Sequence, residues 1–265
     1  MSGPLQRLGI VARTVYLVVV YAFIFLPVAS LVLFSFQSTS LPVPPFTGPS
    51  LRWYTALLDD GRMTSALGNS LRVGLISAAI STLLGFLAAY GLGRYRPAGA
   101  KGLRGLLIAP LGVSYLVIGL GLSLVANQFV IARSLTLVTI GHVVINLPLA
   151  FAVILSQMRD EHARFEKAAR DLGAGELAVL TRVVVPVLAP GIAAAFLLAF
   201  TLSWDEFIIA LLLARFDVTL PVEIWSALRT GLNPTTNAAG SLVFAFSVVL
   251  LVLAYLVARR RAGAR

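Results

Sequence analysis

The sequence predicts an all-α, multi-pass membrane protein with six transmembrane helices. Three observations lead there. The chain has 265 residues, of which 58% are hydrophobic and only 12% charged, with mean hydropathy +0.92. Soluble domains carry about 25% charged residues, so this chain lacks the polar surface to solvate a globule in water. Its apolar residues fall in six long runs, and its cations cluster where those runs end.

A helix needs about 20 mainly apolar residues to cross the hydrocarbon core. The runs that qualify are Val11–Phe36, Leu71–Leu92, Leu103–Val125, Leu135–Met158, Ala189–Ala214 and Ala238–Ala258. The first is too long for the apolar segment of a cleaved signal peptide, and it continues past Ala29 and Ser30, so it reads as an uncleaved anchor. Pro42, Pro44, Pro45 and Pro49 mark an extended outer loop, and Leu51–Asp60 (LRWYTALLDD) then reads as a short amphipathic surface helix. The second run places Ser77, Ser81, Gly85, Ala89 and Gly93 at every fourth position, one face on which another helix backbone can approach closely, within this chain or from a partner subunit. Pro110 interrupts the third run, and Asn146 and Pro148 the fourth; neighbouring helices can satisfy the backbone groups such residues free.

Charge sets the orientation. With the amino terminus inside, fifteen of the 21 Lys and Arg residues are cytoplasmic, leaving Arg52, Arg62, Arg72, Arg133, Arg215 and Arg229 outside. Both termini are therefore expected in the cytoplasm. The net charge of +10 sits in clusters that abut the spans, such as Arg94, Arg96, Lys101 and Arg104, rather than on an aromatic-interleaved face, which argues against nucleic acid as a partner. The chain has no cysteine, so disulfides, thiolate nucleophiles and cysteine-based metal sites are excluded. His142 and Asn146 lie one turn apart with no second His or carboxylate at metal spacing, and no metal site is expected. No GxxxxGK[ST] stretch occurs, so nucleotide chemistry must come from another polypeptide.

The polar exception is the cytoplasmic loop Arg159–Pro190. Asp160–Leu172 and Gly175–Val185 are rich in helix formers, and Asp160–Arg164 and Glu166–Arg170 have the acid-first i,i+4 order that supports a helix. Gly173 and Gly175 separate the two segments, and Pro186 and Pro190 are expected to end the second before the fifth run. Ala168, Ala169 and Leu172 are expected to share one side of the first helix, a small apolar patch ringed by charge that suits a protein groove better than a lipid surface; the alternative is a self-packed loop capping the bundle.

This loop resembles the EAA loop of permease subunits of type I ATP-binding-cassette importers, whose pattern is EAA, three residues, Gly, nine residues, then I-x-L-P. Ala168, Ala169, Gly173, Val183, Val185 and Pro186 fall on that spacing, while Lys167 stands where the pattern has Glu and Glu166 lies one residue earlier. Leu67–Leu75 (LGNSLRVGL) resembles the opening of the family's core domain, and Thr201–Phe207 (TLSWDEF) and Thr219–Ala238 resemble the spermidine/putrescine branch. The resemblance implies a type I importer permease fold in the bacterial inner membrane, with no enzymatic activity or bound cofactor. ATP and Mg would be handled by a cytoplasmic ATPase dimer. The other implied partners are a second homologous permease and an extracytoplasmic solute-binding protein. Glu166, Lys167, Ala168, Ala169, Asp171, Gly173 and Pro186 would form the coupling segment. The expected organisation is a first helix and outer loop over 1–66, a core permease domain over 67–258 containing the loop 159–190, and a basic tail over 259–265. The implied solute is a polyamine or similar small amine; related permeases serve opines, 4-aminobutyrate, phosphonates and ferric iron.

Asp205 and Glu206 are expected about fifteen residues into the fifth span. A central Asp costs roughly 2.5–3.5 kcal/mol on insertion scales, so intramembrane acids are candidates for function. Adjacent residues differ by about 100° around a helix, so at most one of the two points straight into a cavity. They either meet a cationic solute or form a structural pair, with Arg72, Arg229 or a second permease as candidate partners. Trp204 and Trp225 can add cation–π contacts or serve as interfacial anchors. A self-sufficient secondary transporter would usually show repeats and buried charges in both halves, whereas the acids here sit in one segment. An intramembrane enzyme needs a base beside a nucleophile, and His142 has no evident partner in the sequence.

Overall fold

The structure is a computed structural model that describes residues 4–95, 97–158, 160–231 and 233–262. Among these residues the protein is helical, with a single isolated bridge between Gln37 and Pro49 and no sheet. The helices are α1 (Pro4–Ser35), α2 (Arg52–Asp59), α3 (Gly61–Tyr90), α4 (Ala100–Ile108), α5 (Tyr115–Gln128), α6 (Leu135–Gln157), α7 (Asp160–Asp171), α8 (Glu176–Val179), α9 (Val185–Trp204), α10 (Ile208–Leu213), α11 (Leu220–Thr230) and α12 (Pro234–Ala262). Among the described residues five helical stretches are long and apolar enough to cross a membrane: Gly9–Ser35, Gly61–Tyr95, Leu135–Gln157, Glu176–Trp204 and Pro234–Leu253.

The expected third span is broken. Ala100–Gly112 and Tyr115–Gln128 meet at 105°, so six spans result only if this bent pair counts as one. The physical cause is local. Pro110 lacks an N–H, the chain tightens into a 3-10 turn over Ala109–Gly112, and Ser114 then restarts the helix as an extended N-cap whose Oγ accepts from the Leu116 N–H at 3.3 Å. Pro148, by contrast, sits inside an unbroken α6.

The chain divides into two compact units, one of residues 1–61 and 224–244, the other of residues 62–223 and 245–265. In the first, the proline-rich loop is organised by buried Gln37. Its Nε2 donates to the carbonyls of Val43 and Pro45 at 3.3 and 3.1 Å, its Oε1 accepts from the Thr47 N–H at 3.1 Å, and its carbonyl accepts from Trp53 Nε1 at 2.6 Å. That last bond docks α2, the expected amphipathic surface helix, through its buried Trp53 and Leu57.

In the second unit, α3 packs along α6 through its small-residue face. Ser77, Ser81 and Ala89 are fully buried, and a Cβ on Gly85 would stand 2.8 Å from the Phe151 amide nitrogen. The periodic stripe therefore serves packing within the chain. Two further clusters complete this unit. One joins Phe86, Phe151, Ile154, Val179 and Leu188 toward the α7–α8 end. The other joins Val73, Val138, Ile145, Ile209 and Leu213 around α10.

Gly85→Val should displace α6 from α3, because the obstruction is backbone rather than a movable side chain. Overpacking of this kind costs about 1–3 kcal/mol, and a lower melting temperature of the purified protein in detergent is the expected reading.

Candidate functional site

Two polar constellations stand out in the second unit, one at the loop between α6 and α9 and one at the break after α9.

The loop begins with α7. Its end is a Schellman motif: the Ala174 N–H donates to the Ala169 carbonyl at 3.0 Å and the Gly173 N–H to the Arg170 carbonyl at 2.9 Å, with Gly173 at φ +85°. A side chain at Gly173 would strain this backbone, which explains why glycine stands there. The expected second helix of the loop does not end at a proline. α8 runs through a π-turn (Leu180–Val184) into α9, with Pro186 in the first turn of α9 and Pro190 inside it. Pro186 directly follows the π-turn, where the regular i,i−4 ladder is already interrupted, so its missing N–H removes no regular helical bond. The segment behaves as one separate helix, α7, followed by a long helix that carries the loop directly into the membrane.

Glu166 turns inward. Its side chain is 3% exposed, and Oε1 accepts from Arg94 Nε at 2.7 Å. Tyr90 OH donates to Oε2 at 3.5 Å, and Arg170 Nη2 lies 4.0 Å away, the predicted i,i+4 partner. Its charge is thus paired inside the chain, with Arg94 at the end of the α3 helical stretch. Arg170 in turn grips Glu176 through Nε at 2.9 Å and Nη2 at 3.1 Å. Hydrogen bonding to that carboxylate raises the Arg170 pKa, so the guanidinium remains charged. Ala169 packs against the core cluster, whereas Ala168 and Leu172 are exposed, so the three do not share one side. Lys167, Asp171, Gly173 and Pro186 are exposed with them, as are Phe165 and Leu177. The side chain of Asp160, expected to pair with Arg164, lies outside the described residues.

The second constellation overturns the mid-helix placement of the acids. α9 begins before the apolar run does and stops at Trp204; Asp205–Phe207 form a break, and α10 comes next as a separate short helix. Glu206 makes the break possible. Its Oε1 accepts from the Ile209 N–H at 2.9 Å and its Oε2 from the Ala210 N–H at 3.1 Å, satisfying backbone donors that start α10. Its side chain is 1% exposed, and His142 Nε2 lies 3.2 Å from Oε2, at ion-pair distance though outside straight hydrogen-bond geometry. His142 Nδ1 is hydrogen-bonded to Ser203 Oγ, which is 2.9 Å from Ser77 Oγ. The partners of the buried acid are thus His142 and backbone amides, not Arg72 or Arg229. Asn146, fully buried one turn along α6, has neither side-chain polar atom hydrogen-bonded among the described residues.

Asp205 goes the other way. It is exposed at the chain surface, where Ser247 Oγ donates to Oδ2 at 3.4 Å. Trp204 is buried, its ring 4.6 Å from that of Phe246 and 6.3 Å from that of Phe200. Trp225 is exposed and belongs to the other compact unit. Of the four residues expected along a substrate path, Asp205 and Trp225 reach the surface, and Trp204 and Glu206 do not. Among the described residues no group of three His, Cys, Asp or Glu is placed to hold a metal.

Comparison with known proteins fits this arrangement. The family model for binding-protein-dependent transport system inner membrane components matches residues 81–263. The chain belongs to that family. It is 36% identical over 258 residues to the putrescine transport system permease protein PotI of Escherichia coli (strain K12), covering 93% of this chain and 91% of that protein. It is 28% identical over 261 residues to the spermidine/putrescine transport system permease protein PotC of the same strain, covering 98% and 96%. The fold is that of a bacterial ABC transporter involved in the import of the acidic polysaccharide alginate, with TM-score 0.75 at 16% identity over 96% of each chain. This permease is a multi-pass inner-membrane transport subunit of an ATP-binding-cassette importer, not an enzyme.

Sequence reasoning missed Arg94 as a partner of the loop, counting it only as a topology signal, and missed Ser77 and Ser203 as partners of His142. The available signals were the serine inside the small-residue stripe and the isolated membrane histidine; neither names its partner, because the contacts are far apart in sequence.

Arg94→Ala should leave the Glu166 carboxylate buried without its nearest charge. Breaking one side of a buried pair costs about 3–5 kcal/mol, so the melting temperature in detergent should fall clearly, and less so for Arg94→Lys.

Proposed function

We propose that this permease forms half of the translocation pathway of an importer for a polyamine or similar small amine, and that the loop 159–190 couples it to a separate cytoplasmic ATPase dimer. A second permease and an extracytoplasmic solute-binding protein complete the assembly, and the solute-binding protein contributes most of the selection.

The observation that carries the solute reading is Asp205. It is an acid at the chain surface within a membrane domain, in a chain 36% identical over nearly its whole length to a putrescine permease. A carboxylate facing hydrocarbon is strongly disfavoured, so such a group belongs on a water-filled or protein-lined route, where it suits a cationic solute. The coupling reading rests on the exposed face of α7. Lys167, Ala168, Asp171 and Leu172 offer a small apolar surface beside charges, on a helix anchored from behind by Glu166 and Ala169. With Lys167 at the pattern's Glu position, the ionic contact to an ATPase carries the opposite sign here, and an acidic partner residue is its complement.

Uptake of radiolabelled putrescine and spermidine in cells lacking this gene, with and without the gene restored, tests the solute. Loss followed by rescue is the expected result. Unaffected uptake in a strain with no redundant system would remove the polyamine reading and direct the search to opines, 4-aminobutyrate, phosphonates and iron. Asp205→Asn should lower uptake of a cationic solute by about tenfold, the scale of one lost charge-assisted contact.

Gly173→Pro tests coupling. Proline cannot adopt φ +85° and would also remove the N–H donated to Arg170. The variant should insert normally yet hydrolyse ATP without uptake when assembled with its ATPase; normal uptake would refute docking through this loop.

A further inference from the structure

We infer that His142 and Ser203 are positioning residues of the transport pathway: they hold the Glu206 carboxylate inward, and so determine that Asp205 is the acid presented at the surface. The functional importance of that choice rests on the reading that Asp205 meets the solute.

Two adjacent acids sit in a three-residue break between helices, where the backbone has more freedom than in a helix. Either could in principle turn outward. Glu206 is held inward at three points: two backbone N–H groups of α10 and His142 Nε2. α10 is itself packed closely against α5 and α6. A Cβ on Gly119 would stand 2.7 Å from Leu212 Cδ1, and one on Gly141 would overlap Ile209 Cγ2, so glycines admit α10 to close contact on both sides. The carboxylate is thus fixed to a rigid element, and His142 is fixed in turn.

The imidazole is fully buried, and Ser203 Oγ engages Nδ1, leaving Nε2 directed at Glu206. Ser203 is the penultimate residue of α9, and it also meets Ser77 Oγ on α3. The relay therefore ties the last turn of α9, α6, α3 and the backbone at the start of α10 to one another. With the side chain of residue 206 pinned inward, the Asp205 carboxylate is left exposed, where Ser247 Oγ on α12 donates to its Oδ2 at 3.4 Å. His142 and Ser77 are fully buried, and Ser203 is 3% exposed.

The absence of cysteine makes a direct test practical. With Asp205→Cys as the sole thiol of this chain, in the transporter assembled in membranes, labelling of this subunit by a charged methanethiosulfonate reagent reports whether position 205 faces water. The thiol should react in the otherwise native chain. Adding His142→Leu should change its rate by about fivefold, the scale of one lost buried hydrogen bond. His142→Gln retains an amide donor toward Glu206 and should return the rate close to native. Ser203→Ala, a smaller perturbation that keeps the helix, should shift the rate in the same direction as His142→Leu. An unreactive thiol at position 205, or a rate indifferent to His142→Leu and Ser203→Ala, would overturn the assignment. The solute reading fails separately, by unchanged uptake in Asp205→Asn, because the labelling rate requires no knowledge of what is carried.

Discussion

A helix that starts in an apolar, buried setting leaves backbone N–H groups that hydrocarbon cannot satisfy, and the side chains of the same chain must do so. In this permease the Glu206 carboxylate meets that requirement at the start of α10. Much of the surrounding architecture depends on it. A buried carboxylate needs polar neighbours, which places His142 in the middle of α6 and Ser203 in the last turn of α9. The short helix it caps must be clamped, which requires Gly119 and Gly141 on the facing helices. The neighbouring acid, Asp205, is then left at the surface.

The cytoplasmic side obeys the same rule in a wetter setting. α7 is a polar helix whose inward face still needs anchoring, and Glu166 anchors it by an ion pair to Arg94 at the end of the α3 helical stretch. That stretch is packed closely on α6 through Gly85 and Gly93. A load applied to the exposed face of α7 therefore passes into packed membrane helices rather than into a compliant loop. The Schellman turn at Gly173 and the run of α8 through the π-turn into α9 provide a second rigid connection.

Breaks in these helices have individual causes. Pro110 ends α4 because the chain tightens there into a 3-10 turn and Ser114 restarts the helix at a new angle. Pro148 and Pro190 break nothing. The same residue type thus has opposite outcomes, decided by whether the sequence around it supplies a cap. The break at Asp205–Phe207 contains no proline or glycine at all; there the Glu206 carboxylate caps α10, with His142 beside it and Ser203 holding that histidine.

Features that depend on composition and short-range order were legible in the linear chain. Apolar length marks the five spans and the run that becomes the bent pair. The four-residue spacing from Ser77 to Gly93 marks the packed face of α3, and the Ala168–Pro186 spacing marks the loop and the family. These features repeat or lie within a few turns, so a one-dimensional pattern records them. Which way each acid faces was settled only by the packed helices. Glu166 turns to Arg94, 72 residues away, and His142 reaches Ser203, 61 residues away. No local propensity distinguishes Asp205 from Glu206, or Glu166 from Lys167. Their directions are fixed by partners on other helices, and in a low-dielectric interior the cost of leaving a polar group unpaired makes those partners decisive.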